Sequence, residues 1–182
     1  SYAGTDIARG ETVLRAGQIL TSREIGVLAA IGMARVRVCR RPRVAILSTG
    51  DEIEPPGAPL PLGAIYDSNA AIIGAAVAEF GGEPVYLGVV RDDELALAAA
   101  MTTALQHDVV LLSGGTSKGA GDLSYRVASR LGDPGIVAHG VALKPGKPIC
   151  LAVSQGKPVV ILPGFPTSAI FILAAMLAVA GG

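Results

Sequence analysis

The sequence predicts an α/β domain over residues 43–182, a mostly parallel sheet covered on both faces by helices, with a small β-rich segment, residues 1–42, before it. Three observations carry that expectation. After Pro42, short apolar runs alternate with longer helical stretches, the rhythm of strand–helix–strand crossovers. The runs at 43–48, 108–112 and 158–162 are apolar almost throughout, as strands buried on both faces are. Loops rich in Gly, Pro and Asp follow these runs, where an open parallel sheet binds its ligands.

Residues 10–20 read as short strands joined by a turn. Thr21-Ser22-Arg23-Glu24 is a capping-box start for a helix through Ile31, stopped by Gly32. Val36-Arg37-Val38 alternates as a strand does. This segment is too small to bury a core alone and reads as part of a neighbouring domain. The expected strands of the larger domain are 43–48, 84–90, 108–112, a run near 136–143, 149–153 and 158–162. Its expected helices are 68–80, 93–106, 122–131 and 166–180. The last holds the apolar stretch 169–180, shorter than the roughly 20 residues that span a bilayer. It is expected to be a buried core helix, one flank of it covered by a domain outside the sequence. The chain begins with Ser, which suggests an excised fragment, and no basic-then-apolar leader precedes the fold.

Composition narrows the function. The 182 residues carry 15 basic and 15 acidic side chains, so no net field attracts nucleic acid or an acidic membrane. Trp is absent and aromatics are few, which leaves little for base stacking. Cys39 and Cys150 form no CxxC or zinc spacing and read as two buried thiols in a reducing compartment.

The stretch from Ser113 to Asp122, SGGTSKGAGD, leaves a strand and opens a helix. Glycines there present no Cβ to a ligand, and free N–H groups gather at the positive end of the helix dipole, which suits a phosphate. Asp122 either caps that helix or holds a cation beside the phosphate. Strand, glycine loop and acid together point to a phosphorylated ligand with a metal ion. Five more loops fall at strand ends or helix starts: Leu47 to Glu52 (LSTGDE), Ile65 to Asn69 (IYDSN), Arg91-Asp92-Asp93, Leu143 to Pro148 (LKPGKP) and Leu162 to Ser168 (LPGFPTS).

In order and approximate spacing these six motifs resemble the molybdopterin molybdotransferases, the MoeA and gephyrin E-domain family of molybdenum-cofactor synthesis. The resemblance covers nearly the whole chain. It implies that residues 43–182 form a three-layer α/β/α sandwich shared with the MogA/MoaB proteins. Residues 1–42 are then a segment of the elongated domain beside it. The SGGTSKGAGD and PGFPTSAIF spellings are similar to members that continue into a periplasmic-binding-protein-like domain. The implied reaction inserts molybdate into adenylylated molybdopterin and releases AMP, with Mg2+ involved. A cytoplasmic homo-oligomer, a dimer at full length, is implied as well.

Residue by residue, the resemblance makes Glu52, Asp92 and Asp122 catalytic acids and metal ligands, because three convergent carboxylates suit magnesium beside phosphate. Taken singly, turn or helix capping would explain Glu52 and Asp122, and an Asx turn would explain Asp92. Taken as a converging set they are better read as a site. Asp51, Asp67, Ser68, Asn69, Ser113, Gly114, Gly115, Thr116, Ser117, Pro163 and Gly164 would bind the pterin nucleotide, with Asp67 to Asn69 also capping the helix that follows. Lys144, Lys147, Pro148 and Ser168 would bind molybdate: two cations on a Pro-Gly-stiffened turn, with a hydroxyl at a helix start. A plain surface turn would explain the lysines alone, but it needs no such rigidity.

Two positions depart from the family. Gly140 stands where a lysine is common; His139 beside it either replaces that cation when protonated or, the favoured reading, is a strand-end core histidine. Lys118 stands in place of Val, either contacting phosphate or pointing into solvent. A different class remains open: a MogA/MoaB-like pterin-binding or adenylylating module, or a non-catalytic binding domain. TGDE, YDSN and KPGKP favour the molybdate-inserting branch. A bare dinucleotide fold is weaker, since no GxGxxG follows the first strand.

Overall fold

The computed structural model describes residues 6–114, 120–132, 134–142, 144 and 147–170, which fall in two compact units, Ser1–Arg40 and Arg41–Gly182. The expectations for Gly115, Thr116, Ser117, Lys118 and residues 171–180 lie outside the described residues.

In the first unit the regular element is helix α1, Ser22–Ala30. Both halves of its capping box are made: the Thr21 side chain accepts from the first-turn backbone, and Glu24 accepts from Thr21 N at 2.8 Å. The Thr21 hydroxyl, which also donates to Glu24, holds that carboxyl below its ordinary range. At the other end Gly32 takes φ +79°, so that its N–H reaches Ala29 O and the Met33 N–H reaches Leu28 O, closing the helix as a Schellman motif. The strands expected within 10–20 and at 36–38 do not form among the described residues. Their alternation had suggested strands, but a strand persists only where a neighbour takes up its N–H and C=O groups. Cys39, read as buried, is exposed.

The second unit holds a six-stranded sheet of order β4-β1-β5-β8-β7-β6. The strands are β1 Arg43–Thr49, β4 Glu83–Val90, β5 Val109–Gly114, β6 Pro134–His139, β7 Cys150–Ser154 and β8 Lys157–Leu162. A two-residue parallel pair, β2 Ile53–Glu54 with β3 Ile65–Tyr66, stands apart in what the sequence presents as loop. Helices α2 Ser68–Glu79, α3 Glu94–Ala104 and α4 Ala120–Ser129 complete the described elements, and residues 166–170 begin a further helix. Four strands run parallel, while β7 is antiparallel to both its neighbours.

Strand alternation divides the core in two. Val44 and Ile46 of β1, Leu111 of β5 and Leu162 of β8 face α2 through Ile73 and Val77. Ala45, Leu47, Val110, Leu112 and Ile161 face the opposite way, toward Leu97 and Met101 of α3 and Val127 of α4. Each large side chain removed from water here contributes about 1.5–3 kcal/mol. The result is a three-layer sandwich.

Topology decides where a ligand can sit. The chain leaves β1 for β4 on one side and then crosses to β5 on the other, carrying α2 and α3 to opposite faces. Such a reversal places the ligand crevice of open α/β sheets at the carboxyl ends of the two strands whose connections part, here Thr49 and Gly114, which are register partners. Because β7 runs against the rest, the connection from β6 to β7 emerges at this same edge. Lys144, Lys147 and Pro148 are thereby brought to the end of the sheet that carries the crevice.

Two boundaries differ usefully from the sequence expectation. Strand β6 ends at His139, not near 143, because Gly140 turns away with φ +77°. Helix α4 begins at Ala120, so Asp122 lies inside its first turn and not at the N-cap. Cys150 is fully buried, and burial pushes its thiol up. A thiol reagent at pH 8 is accordingly expected to modify Cys150 only after denaturant is added, a result that peptide mass spectrometry reads directly. Modification at native conditions would contradict its burial.

Candidate functional site

The connections after β1 and β4 are stitched together. Thr49, 1 % exposed, donates from Oγ1 to Asp92 Oδ1 at 3.1 Å, and Asp92 N donates to Asp51 Oδ1 at 3.1 Å. Arg91 donates to Asp51 O from Nη1 and to Glu54 Oε1 from Nη2 at 2.6 Å. That carboxylate holds the Arg91 guanidinium above its ordinary value. An irregularity after Ile46, where Leu87 is passed over in the pairing, sets the register that brings the end of β4 to these partners. The Glu52 carboxylate folds back over Gly50, its Oε2 3.0 Å from where a Cβ there would stand. Asp51, Glu52, Glu54, Leu62 and Arg91 line an open cleft of about 430 Å3.

A second grouping is centred on Asn69. Asp67 accepts from Ala70 N at 3.0 Å and so caps α2, as expected. Asn69, 8 % exposed, donates from Nδ2 to Ser113 Oγ and to Gly164 O, each at 2.8 Å. Since a carbonyl only accepts, Gly164 fixes which end of the carboxamide is nitrogen. Asn69 Oδ1 is then a buried acceptor with no hydrogen-bond partner among the described residues. One side chain thus joins the start of α2, the end of β5 and the loop after β8. Pro163 beside Gly164 is buried, while Ser68 is exposed. Ser168 lies in the first turn of the helix that begins at residue 166, half-buried, its N–H donating to Phe165 O at 3.0 Å.

Gly114, the last residue of β5, lies hard against β1. Its φ is +103°, and a Cβ on it would stand 2.2 Å from Thr49 O, so only a glycine permits the approach of β5 to β1 at this point.

The lysine loop is the third grouping. Its neck is closed by Gly140 N donating to Ile149 O at 2.8 Å and Val141 N donating to Lys147 O at 3.0 Å. Lys144 and Lys147 are exposed. His139 is exposed as well, which corrects its reading as a core histidine. It ends β6, and its ring lies 4.0 Å centroid to centroid from that of Tyr125 on α4, tilted by 42°. Tyr125 donates to Pro148 O at 2.7 Å. Burial pushes its phenol up, with the neighbouring Cys150 adding to the effect, so it stays a donor at neutral pH.

The structure therefore joins Asp51 with Asp92, and Asn69 with Ser113 and Gly164. The Asp122 backbone belongs to α4, while its side chain is outside what is described, as are Pro145 and Gly146 of the lysine turn. Among the described residues no three acids or other metal-binding side chains cluster closely enough to hold an ion by themselves. Magnesium commonly needs only one or two carboxylates beside phosphate oxygens and water, so the donors on this edge suit it chemically. Thr49, Arg91, Glu54 and Tyr125 are the partners that sequence reasoning missed. The position of Arg91 directly before Asp92 was the one available signal.

Residues 45–180 match the family described as a probable molybdopterin binding domain. The chain is 39% identical over 177 residues to molybdopterin molybdenumtransferase 2 of Mycobacterium tuberculosis, covering 92% of this chain and 43% of that one. It is 39% identical over 158 residues to a molybdopterin molybdenumtransferase of a Nostoc species, covering 86% and 36%. The crystal structure of the MoeA molybdopterin biosynthesis protein of Pyrococcus horikosii superposes with a TM-score of 0.83 at 41% identity, covering 98% of this chain and 45% of that one. A MoaB structure from Pyrococcus furiosus, at TM-score 0.60 and 18% identity, covers 79% and 95% and shares the fold. The chain spans less than half the length of the molybdenumtransferases it matches. On the sandwich, the loops at its carboxyl edge and the match over residues 45–180, the chain belongs to the family of probable molybdopterin binding domains and is similar to the corresponding part of the MoeA-type molybdopterin molybdenumtransferases.

Proposed function

We propose that this chain carries the pterin-nucleotide and oxyanion half of a site that inserts molybdate into adenylylated molybdopterin with release of AMP. The observation behind this reading is the shared edge: the connections that carry the acids, the glycine loop and the lysine loop all leave the sheet at the carboxyl end of β1 and β5. The glycine loop from Ser113 through Ser117 and the first-turn amides of α4 would bind phosphate. Asp51, Asp67, Ser68, Asn69, Pro163 and Gly164 would line the nucleotide's path. Lys144, Lys147, Pro148 and Ser168 would hold molybdate beside it, since a dianion is best met by charge-assisted donors. Glu52, Asp92 and Asp122 are the residues that would hold Mg2+, which supplies charge neutralisation at the phosphates. A cytoplasmic location and a dimeric full-length protein belong to the same reading. The likeness to MoaB proteins carries the fold alone.

The test is to titrate the chain, and the full-length protein, with adenylylated molybdopterin, molybdate and magnesium while following AMP. Release that requires all three supports insertion. Nucleotide binding with no molybdate-dependent release by the full-length protein supports the binding-module alternative instead. Within that assay, Asp122→Asn in the full-length protein is expected to keep the fold and lose at least tenfold in AMP release, about 1.4 kcal/mol of transition-state stabilisation. Unchanged turnover with unchanged magnesium dependence would refute the metal role.

A further inference from the structure

The lysine loop is held from both ends by one side chain that no part of the proposed chemistry uses. The Tyr125 ring packs at a tilt against His139, the last residue of β6 before the loop, and its hydroxyl donates to Pro148 O, immediately after Lys147. His139 and Cys150 are register partners, so these contacts sit directly above the point where β6 and β7 meet. Tyr125 itself stands on α4, one turn beyond Asp122. The helix that opens from the glycine loop is thereby tied to both flanks of the cationic loop.

We propose that Tyr125 is a positioning residue: it fixes the lysine loop against α4, so that the distance between the bound anion and the nucleotide phosphates is set by the fold. The inference rests on the reading of Lys144 and Lys147 as the oxyanion site. The two backbone hydrogen bonds of the neck act within the β6–β7 connection itself, whereas the Tyr125 hydroxyl ties that neck to a different element, α4. A donor anchored in a packed helix holds its partner in place before the ligand arrives, which is where preorganised binding gains its affinity. The half-buried phenol, whose proton burial holds more tightly still, is suited to a permanent hydrogen bond. Phenylalanine would keep the ring contact with His139 and lose only the hydroxyl bond.

The experiment compares the unmodified chain with Tyr125→Phe and Lys147→Ala by calorimetric titration with molybdate and, separately, with adenylylated molybdopterin. Tyr125→Phe is expected to weaken molybdate by about threefold to tenfold, one neutral hydrogen bond expressed as affinity. Its nucleotide affinity should stay within about twofold, because the contacts of Asn69 with Ser113 and Gly164 are untouched. Amide exchange at Gly140 and Val141 should accelerate in the same variant, a readout independent of any ligand. Equal weakening of both ligands would mean general destabilisation and would overturn the inference. So would unchanged molybdate binding in Tyr125→Phe beside clear weakening in Lys147→Ala, which leaves the oxyanion reading standing. Molybdate binding unaffected by Lys147→Ala sinks the oxyanion reading and takes the positioning role with it, whatever Tyr125→Phe does.

Discussion

Gly114→Ala is expected to cost about 3 kcal/mol or more, enough to leave a domain of ordinary stability largely unfolded at moderate denaturant. Two penalties add. The backbone at φ +103° is strained for any residue with a Cβ, worth on the order of 1 kcal/mol. The new methyl would also stand 2.2 Å from Thr49 O, a backbone atom that cannot turn aside as a side-chain end can. Relief would require β5 to part from β1 at the crevice, breaking the Thr49–Gly114 register and moving Ser113 away from Asn69. Gly156→Ala provides the control, since Gly156 has φ +73° with open space around it. Urea denaturation of the two variants separates strain from collision. If Gly114→Ala is no less stable than Gly156→Ala, the close approach has been misjudged.

Lys147→Ala is expected to raise the molybdate requirement by one to two orders of magnitude, the effect of removing a charge-assisted contact of about 1.5–3 kcal/mol. The lysine is exposed, so its loss leaves no buried partner stranded, and stability should barely change. Affinity for adenylylated molybdopterin should change much less. The decisive measurement is molybdate dependence of AMP release in the full-length protein, variant against parent. Loss of nucleotide binding with an unaltered molybdate requirement would reassign the loop to the nucleotide.

The central strands were legible because a parallel strand covered on both faces has no polar side to disguise it: 43–48 and 158–162 read almost as they stand in β1 and β8. The same rule failed near the amino terminus. Val36-Arg37-Val38 has a strand's alternation, yet pairing is a property of two segments and one segment's pattern cannot supply it. At the candidate site, local chemistry was readable and long-range contact was not. The Asp67 cap follows from its place before a helix, whereas the carboxamide of Asn69 meets partners 44 and 95 residues away. Arg91 with Glu54, and Tyr125 with Pro148, were hidden for the same reason. The exposure of His139 depends on β6 being the outer strand of the sheet, which no local pattern announces.

The reversal of β7 has a further consequence, for the order in which the two walls of the crevice can assemble. Strands β7 and β8 pair from Ser154 with Lys157, three residues apart, whereas β1 and β5 pair from Val44 with Val109, separated by 65. On the logarithmic dependence of closure entropy on loop length, the second pairing costs about 2–3 kcal/mol more in chain freedom. The meander that presents the lysines is therefore nearly a local structure, while the acidic wall exists only once distant parts of the chain have met. On this account the β7–β8 hairpin can form early, and the edge where Asp51 meets Asp92 is completed later.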